Sequence, residues 1–258
     1  MTEPLRFKIE KLVYGGDGLG HAEGQTIFVP LVLPGEEILA EVVTKKKKMV
    51  KARATEIVQP SPERIAPPCA HFGTCGGCHY QHLPYPAQVE AKTAILREQL
   101  GRIGGLVNPP VQPAAAAPGE THYRNHVQFH LTPEGKLGYH QARSNEVLAI
   151  RECWLPEPVL NTVWPQLDFD ANTDIARVSL RAGVDDDLLL ALESASPEAP
   201  ELELEAGISV AHIYEEHTVV LAGDDHIFIR VLGRDFKVSA PSFFQVNTPM
   251  AEKMVEYL

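Results

Sequence analysis

Three thiols crowd into ten residues of an otherwise cysteine-poor chain. In CAHFGTCGGCHY, residues 69 to 80, Cys69, Cys75 and Cys78 stand at C-x5-C-x2-C, and the one other cysteine of the 258 residues is Cys153, in RECWLP. Four chemistries compete for them. Disulfide frameworks belong to oxidising compartments, and buried structural cysteines do not normally cluster around GTCGGC. Zinc accepts four thiolates and suits CxxC knuckles beside glycine. An iron–sulfur cluster also takes four thiolates, and its sulfurs accept hydrogen bonds from nearby backbone amides. Glycine lets the backbone wrap closely enough to supply those amides. Zinc sites more often pair two knuckles, so three ligands in one loop and a fourth 75 residues beyond Cys78 favour a [4Fe–4S] cluster on Cys69, Cys75, Cys78 and Cys153. His71, His79 and His82 could substitute in a zinc site; the plainer expectation is that they are surface histidines of a cluster loop.

A second set of residues could grip an anionic polymer. KKKKMVKAR, residues 45 to 53, is the densest basic run and supplies Lys45, Lys46, Lys47, Lys48, Lys51 and Arg53. Read by itself it is equally a solvated strand end or an RNA-facing patch. In HYRNHVQFHL a period of two puts Arg124, His126, Gln128 and His130 on one strand face, and Asn125, Val127, Phe129 and Leu131 on the other. A polar face with arginine suits an RNA-facing strand; the plain alternative is a solvated sheet face. Tyr14 and Phe28 could stack on bases, or could equally be core.

The elements that must position these residues are mostly strands. Residues 1 to 58 read as short strands with glycine punctuation: FKIEKLVY, TIFVPLVL, EILAEVVT and MVKARATEIV are strand-like, with GGDGLG and PGE as turns. Close spacing of this kind suggests a small OB-like barrel. Residues 59 to 100 hold a linker with four prolines between 60 and 68, the cysteine loop, and the start of a helix over YPAQVEAKTAILREQLGRIGG. Residues 101 to 236 form a β-rich central domain that also supplies Cys153. A helix is predicted over LPEPVLNTVWPQL, and a second sheet from IARVSLRAG, DDLLLALES, ISVAHIYEE, HTVVLAG and HIFIRVLG. Residues 237 to 258 run from a strand into a helix. The predicted class is α+β, mainly β.

Composition narrows the function classes. Hydrophobic content of 44% and charged content of 22% are ordinary for a globular chain. No apolar run reaches membrane-spanning length, and MTEPLRFKIEKL lacks the features of a secretory signal. A cytoplasmic protein with reduced thiols is expected, with no membrane and no obligate protein partner. The net charge of −11 argues weakly against nucleic acid, but it is uneven. Residues 1 to 60 carry nine Lys/Arg and eight Asp/Glu, whereas residues 166 to 225 carry two and fifteen. The acidic stretch should face away from phosphate.

Taken together, GGDGLGHAEGQTIFVPLVLPGE, SPERIAPPC, the CGGCHYQHL loop, HYRNHVQFHL, LGYHQARSNEVLAIREC and SFFQVNTPMAEKM resemble one family over essentially the whole chain. It is the TRAM-domain, iron–sulfur RNA (uracil-5-)-methyltransferases, and the resemblance is closest to the branch that acts on 23S rRNA. The resemblance implies a TRAM barrel, a [4Fe–4S] cluster with Cys153 as the distal ligand, S-adenosylmethionine as cofactor and RNA as substrate. It further implies that Phe243 faces an extruded base, that Gln245 reaches the cofactor or substrate, and that Asn247 holds the turn before a helix. Without the resemblance, FKVSAPSFFQVN reads as an ordinary buried strand with an Asn turn. Family members continue into a domain with a glycine-rich cofactor loop, a nucleophilic cysteine and a general base, and nothing in these 258 residues fills those roles. The expectation is therefore the N-terminal part of such an enzyme, inactive alone. The alternative is a stand-alone TRAM and iron–sulfur RNA-binding module.

Overall fold

A computed structural model describes residues 3–47, 49–200, 203 and 207–258. The chain divides into two compact units: Met1–Gly73 with Cys78–Ala116, and Thr74–Gly77 with Ala117–Leu258.

The first unit is built on a closed barrel of β1 (Leu5–Leu12), β2 (Gly18–Ala22), β3 (Gln25–Val29), β4 (Glu37–Lys46) and β5 (Met49–Gln59), in the order β1-β2-β3-β5-β4. The predicted barrel is present, but one strand comes from an unexpected place. GGDGLG is only half a turn, and its last glycines begin β2. Gly20 lies so close to β1 that a Cβ there would stand 2.5 Å from the Lys8 carbonyl oxygen and 2.8 Å from the Phe7 ring. Here glycine permits close strand approach rather than marking a bend. Phe7, Ile9, Ile27, Val29, Ile38, Ala40 and Val50 fill the barrel. Closure removes the sheet edges that an open sheet of this size would expose.

Beyond Ala40 the side chains of β4 leave the core: every β4 residue from Glu41 onward is exposed, while Val50 and Ala52 of β5 stay buried. The predicted helix is α1 (Tyr85–Arg102). It packs Ile95 with Leu12, Leu33 and Leu83 in a second small core.

The second unit is a seven-stranded sheet in the order β12-β11-β10-β9-β6-β7-β8. Its strands are β6 (His126–Leu131), β7 (Leu137–His140), β8 (Val147–Ala149), β9 (Ile175–Ala182), β10 (Leu188–Ser194), β11 (Ser209–Tyr214) and β12 (His217–Ala222). The expected second sheet is thus not separate. β6 pairs antiparallel with β9, joining both groups of strands. Only HIFIRV leaves the group: β13 (His226–Val231) pairs with β14 (Arg234–Ser239) in a two-stranded ribbon. The helix α2 (Pro158–Val163) covers the sheet through Leu160, and Trp164 follows it into the core with Phe129, Val178, Leu180 and Leu192. Pro165 ends it in one tight 3-10 turn. The chain finishes on α3 (Thr248–Glu256). No helix among the described residues is long and apolar enough to cross a membrane.

Candidate nucleic-acid interface and thiol loop

The second unit places its polar residues by simple alternation. Val127 and Phe129 of β6 are buried while Gln128 is exposed, as period two requires. Asn125 follows the same alternation onto the buried side, and there it becomes an anchor. Its Nδ2 donates to the Gln245 carbonyl at 3.1 Å and to Thr248 Oγ1 at 2.9 Å, and its backbone N–H donates to the Val246 carbonyl at 2.9 Å. Arg181, on the neighbouring strand β9, donates from Nη2 to the Ser242 carbonyl at 2.8 Å. Residues 242 to 247 are therefore an extended, exposed segment tied down by its backbone. The buried strand that the bare sequence suggests is not formed, because β14 ends at Ser239.

This anchoring leaves the side chains of Phe243 and Gln245 outward, while Phe244 packs on the β13–β14 core. Phe243 is 82% exposed, an open aromatic face. Gln245 is exposed as well. Asn247 caps α3, its Oδ1 accepting the Met250 N–H at 3.1 Å, which is the turn-holding role expected of it.

Arg124 does not stand in solvent with Gln128. It is half-buried, and its Nε is out of contact with solvent and has no hydrogen-bond partner among the described residues. Burial, reinforced by the charges of Arg181 and Arg124, pushes the His126 imidazole down to about 4. His126 is therefore neutral at ordinary pH. It accepts from Arg181 Nη2 at 3.5 Å.

The cysteine loop contributes Cys75 to this unit, as an isolated bridge to Gln141. The Gly76 N–H donates to the His140 carbonyl at 2.9 Å. A Cβ on Gly76 would come within 3.0 Å of that carbonyl oxygen, so a larger residue would push the loop off β7. The Gly77 N–H donates to Cys75 Sγ at 3.4 Å. Burial raises the Tyr139 phenol far above its ordinary value, and the nearby Cys153 and Cys75 sulfurs raise it further. Its hydroxyl is hydrogen-bonded to Cys153. The Cys75 sulfur thus has the Gly77 amide directed at it, and the Cys153 sulfur has the Tyr139 hydroxyl. Such donors stabilise sulfur that carries negative charge, as in thiolate ligands. Cys69 and Cys78 belong to the first unit, where the Cys69 N–H donates to Gln81 Oε1 at 3.3 Å. Among the described residues no group of three or more His, Cys, Asp and Glu is gathered closely enough to hold a metal ion. The predicted set of four is therefore not gathered as one group among the described residues.

The histidines of the loop divide. His79 is exposed and His71 half-buried, but His82 is 1% exposed, its ring 5.4 Å from that of Phe72. Burial pushes it down to about 4. It is a neutral core residue, and the expectation of a surface histidine fails there.

In the first unit, Lys45 and Lys46 end β4 and Lys47 turns the hairpin, all exposed; Lys48 lies outside the described residues. Lys51 is exposed, and Arg53 pairs with Glu41 at 3.2 Å. Tyr14 is 82% exposed, free of the core, whereas Phe28 is half-buried in the barrel wall. Sequence reasoning missed Asn125 and Arg181. The signal was a polar residue at a core-facing position of an otherwise apolar strand.

Comparison with known proteins bears on what this arrangement serves. No protein-family model matches the chain. An uncharacterized RNA methyltransferase of Aquifex aeolicus is 30% identical over 98% of this chain and 63% of its own length. A 23S rRNA (uracil(1939)-C(5))-methyltransferase RlmD of Alcanivorax borkumensis is 28% identical over 98% of this chain and 62% of its own. The crystal structure of Pyrococcus abyssi tRNA (uracil-54, C5)-methyltransferase, in complex with S-adenosyl-L-homocysteine, shares the fold. Its TM-score is 0.66 at 24% identity, over 98% of this chain and 64% of that one. By descent, then, the chain is a relative of the RNA methyltransferases, and the uracil-C5 enzymes are among its relatives. It spans a little under two thirds of the length of these proteins.

Proposed function

We propose that this chain is the RNA-recognition and iron–sulfur part of an S-adenosylmethionine-dependent RNA uridine C5-methyltransferase, acting in the cytoplasm on 23S rRNA. The similarity over 98% of the chain to an RNA methyltransferase and to a 23S rRNA (uracil(1939)-C(5))-methyltransferase supports the reading. The exposed segment 242 to 247 agrees with it. A uridine must leave its stack before its ring can react, and an unstacked base needs an aromatic face and a polar partner. Phe243 offers the face, and Gln245, two residues on, offers an amide to base or cofactor. Asn125 and Arg181 hold the backbone beneath them, so neither side chain is spent on anchoring. Arg124 and the lysines Lys45, Lys46, Lys47 and Lys48 supply charge for the strand.

Cys69, Cys75, Cys78 and Cys153 would hold the [4Fe–4S] cluster, with the Gly77 amide and Tyr139 hydroxyl directed at its sulfurs. The cluster's part is to tie a loop to a sheet. S-adenosylmethionine would supply the methyl group. Addition to C6 of uracil requires an activated thiolate, and a thiolate that ligates iron is not free to attack. The nucleophile is therefore supplied from outside residues 1 to 258, and what these residues do is bind, unstack and orient.

The test is methyl transfer from labelled S-adenosylmethionine to 23S rRNA. Residues 1 to 258 alone should transfer nothing. Joined to, or mixed with, the remaining part of a relative, they should yield 5-methyluridine, and Gln245→Ala should then lower turnover far more than RNA affinity. Methylation by the 258 residues alone would overturn the division of labour. RNA binding without any restored methylation would favour the stand-alone RNA-binding module. Protein purified without oxygen should be brown with about four irons per chain; stoichiometric zinc without iron would remove the cluster.

A further inference from the structure

The second unit leaves one long sheet edge open. Its seven-stranded sheet ends on β8 at one side and on β12 at the other. An edge strand presents a row of unpaired N–H and C=O groups, a template for pairing with another chain, and proteins blunt such edges with short strands, lysine or proline. β8 is blunted by being only three residues long. β12 is not blunted in any of these ways. It runs for six residues, HTVVLA, with no lysine, proline or glycine among them. Its pairing with β11 is irregular only between Val220 and Ala222, at the far end, so His217 to Val220 form a regular open stretch.

Burial says that nothing covers this stretch. Successive side chains of a strand point to opposite faces of the sheet. Val219 is 39% exposed and its neighbour Val220 is 45% exposed, so both faces of β12 are open at once. Its inner side is taken by β11, antiparallel from His217 to Ala222. On its outer side no strand pairs with it among the described residues. A β-branched, uncharged, unpaired edge is suited to strand addition, in which main-chain hydrogen bonds give affinity and alternate side chains give specificity.

The charges around the edge choose the partner. Glu215 and Glu216 turn the hairpin at the start of β12, and Asp224 follows its end, all three exposed. The ion pairs of this unit use none of them. Residues 166 to 225 as a whole carry fifteen Asp/Glu and two Lys/Arg. Such a rim repels RNA. It repels a second copy as well: two β12 strands set antiparallel would bring Glu215 and Glu216 of each beside Asp224 of the other, and like charges oppose that pairing. A strand with an apolar centre and cations at both ends meets no such repulsion.

We propose that β12 is a docking edge for an extended segment of a partner protein, flanked by lysine or arginine, which adds to the sheet as an eighth strand. Its backbone pairs with the open side of β12, and its basic ends meet Glu215, Glu216 and Asp224. The inference needs neither RNA nor the thiol loop, and stands or falls apart from the reading given above.

The 258-residue chain is titrated with a fluorescein-labelled peptide, Lys-Arg-Thr-Val-Thr-Val-Thr-Arg-Lys, and with two controls. One control carries two consecutive prolines at its centre, so it keeps its charge but cannot pair along either side. The other carries glutamate at the four basic positions. The basic peptide should bind, and each control should bind about tenfold more weakly or worse. On binding, amide exchange should slow at residues 217 to 222 and stay unchanged at residues 242 to 250. Val220→Lys should weaken the basic peptide about tenfold, whereas Val220→Thr, still β-branched, should stay within about twofold of wild type. Glu215→Lys with Glu216→Lys and Asp224→Lys should reverse the preference, so that the glutamate peptide binds better than the basic one. Far-UV circular dichroism checks that each variant is folded. Equal binding of the proline control would reduce the effect to charge and overturn strand addition. Wild-type affinity in Val220→Lys, or no binding of the basic peptide, would overturn the site. A dimer in sedimentation that Val220→Lys abolishes would give the edge to a second copy. Exchange slowed at residues 217 to 222 by oligouridylate would give it to RNA. Either result would overturn the basic partner.

Discussion

Each unit buries a charge, and the two charges are treated in opposite ways. In the first unit Glu36 has no exposed surface. It accepts from the Leu33 N–H at 2.8 Å, the Ser61 N–H at 3.2 Å, and Arg64 Nε and Nη2 at 2.6 and 2.8 Å. Burial alone would push its carboxyl up, but Arg64 and the two amides outweigh that and hold it below the usual carboxylate range. In the second unit Arg181 is 4% exposed and has no carboxylate partner among the described residues. Burial pulls its guanidinium below its ordinary value. One nitrogen holds the Ser242 carbonyl, and Nη1 has no partner among the described residues. A complete shell around a charge makes a fastening: Glu36 joins the proline linker to the barrel. An incomplete shell makes a tether maintained at a cost, and such costs persist where function needs the geometry. Arg181 and Asn125 tether the segment that carries Phe243 and Gln245.

The widest break in this comparison is to open the complete shell. Arg64→Ala leaves Glu36 buried with two amides and no cation. Breaking a buried pair from one side costs about 3–5 kcal/mol. The low end applies here, because Arg64 keeps 23% of its side-chain surface in solvent. Both tryptophans, Trp154 and Trp164, lie in the second unit, so their fluorescence is blind to this change. Amide exchange at residues 31 to 36 reports it instead. Protection unchanged in the variant would mean that the pair is ornamental.

The next test uses the incomplete shell. His126 keeps its proton off down to about pH 4, whereas in an unfolded chain it binds one near 6.5. Between those values the unfolded state holds the extra proton, so stability rises with pH. The contribution is fully present above about 6.5 and drains as pH falls toward 4. The ceiling is about 3 kcal/mol, from about 1.4 kcal/mol for each pH unit. Tryptophan-detected urea unfolding measures it in the second unit alone. His126→Gln should flatten that slope. His82 has the same sign and the same value of about 4 in the first unit, invisible to tryptophan.

Much of this was legible in the sequence, and the parts that were not share a cause. The barrel, α1, α2 and the alternation along β6 follow from local period and turn chemistry. The misplaced parts depend on partners distant in sequence. GLGHA becomes a strand because β1 approaches Gly20 closely, and no local pattern encodes that approach. The two expected sheets fuse because β6 chooses β9, some fifty residues on. Arg124 falls on the polar face by period, yet tertiary packing covers its Nε. Phe243 and Gln245 came from resemblance, and spacing would have made them a buried strand.

A smaller effect is expected at the tether. Asn125→Ala removes two donors from a buried site and leaves the Gln245 carbonyl and Thr248 hydroxyl without them, at a cost of about 1–3 kcal/mol. The barrel should be untouched. Amide exchange should rise at residues 245 to 250 first, because α3 begins there. In a reconstituted enzyme the loss should appear in turnover before it appears in RNA affinity. Asn125→Asp keeps an acceptor but not the donor, and should behave like alanine.

The smallest stability effect is predicted for charges that are not buried at all, and it separates fastening, tether and grip. Lys45, Lys46 and Lys47 stand in solvent where the side chains of β4 have left the barrel core, so nothing folded depends on their heads. Replacing all three with alanine should leave the melting temperature unchanged. It should also lower the salt slope of RNA binding by up to about 2, at about 0.7 for each phosphate contact on a single strand. Lys47 sharpens the point, because it turns the hairpin at φ 51°, where a lysine is strained. Lys47→Asn suits that left-handed position better and should raise stability slightly while still weakening RNA binding. If Lys47→Asn gained stability with no loss of affinity, the lysine would be only a poorly chosen turn residue. The charge that grips RNA would then have to be sought in the second unit, at Arg124.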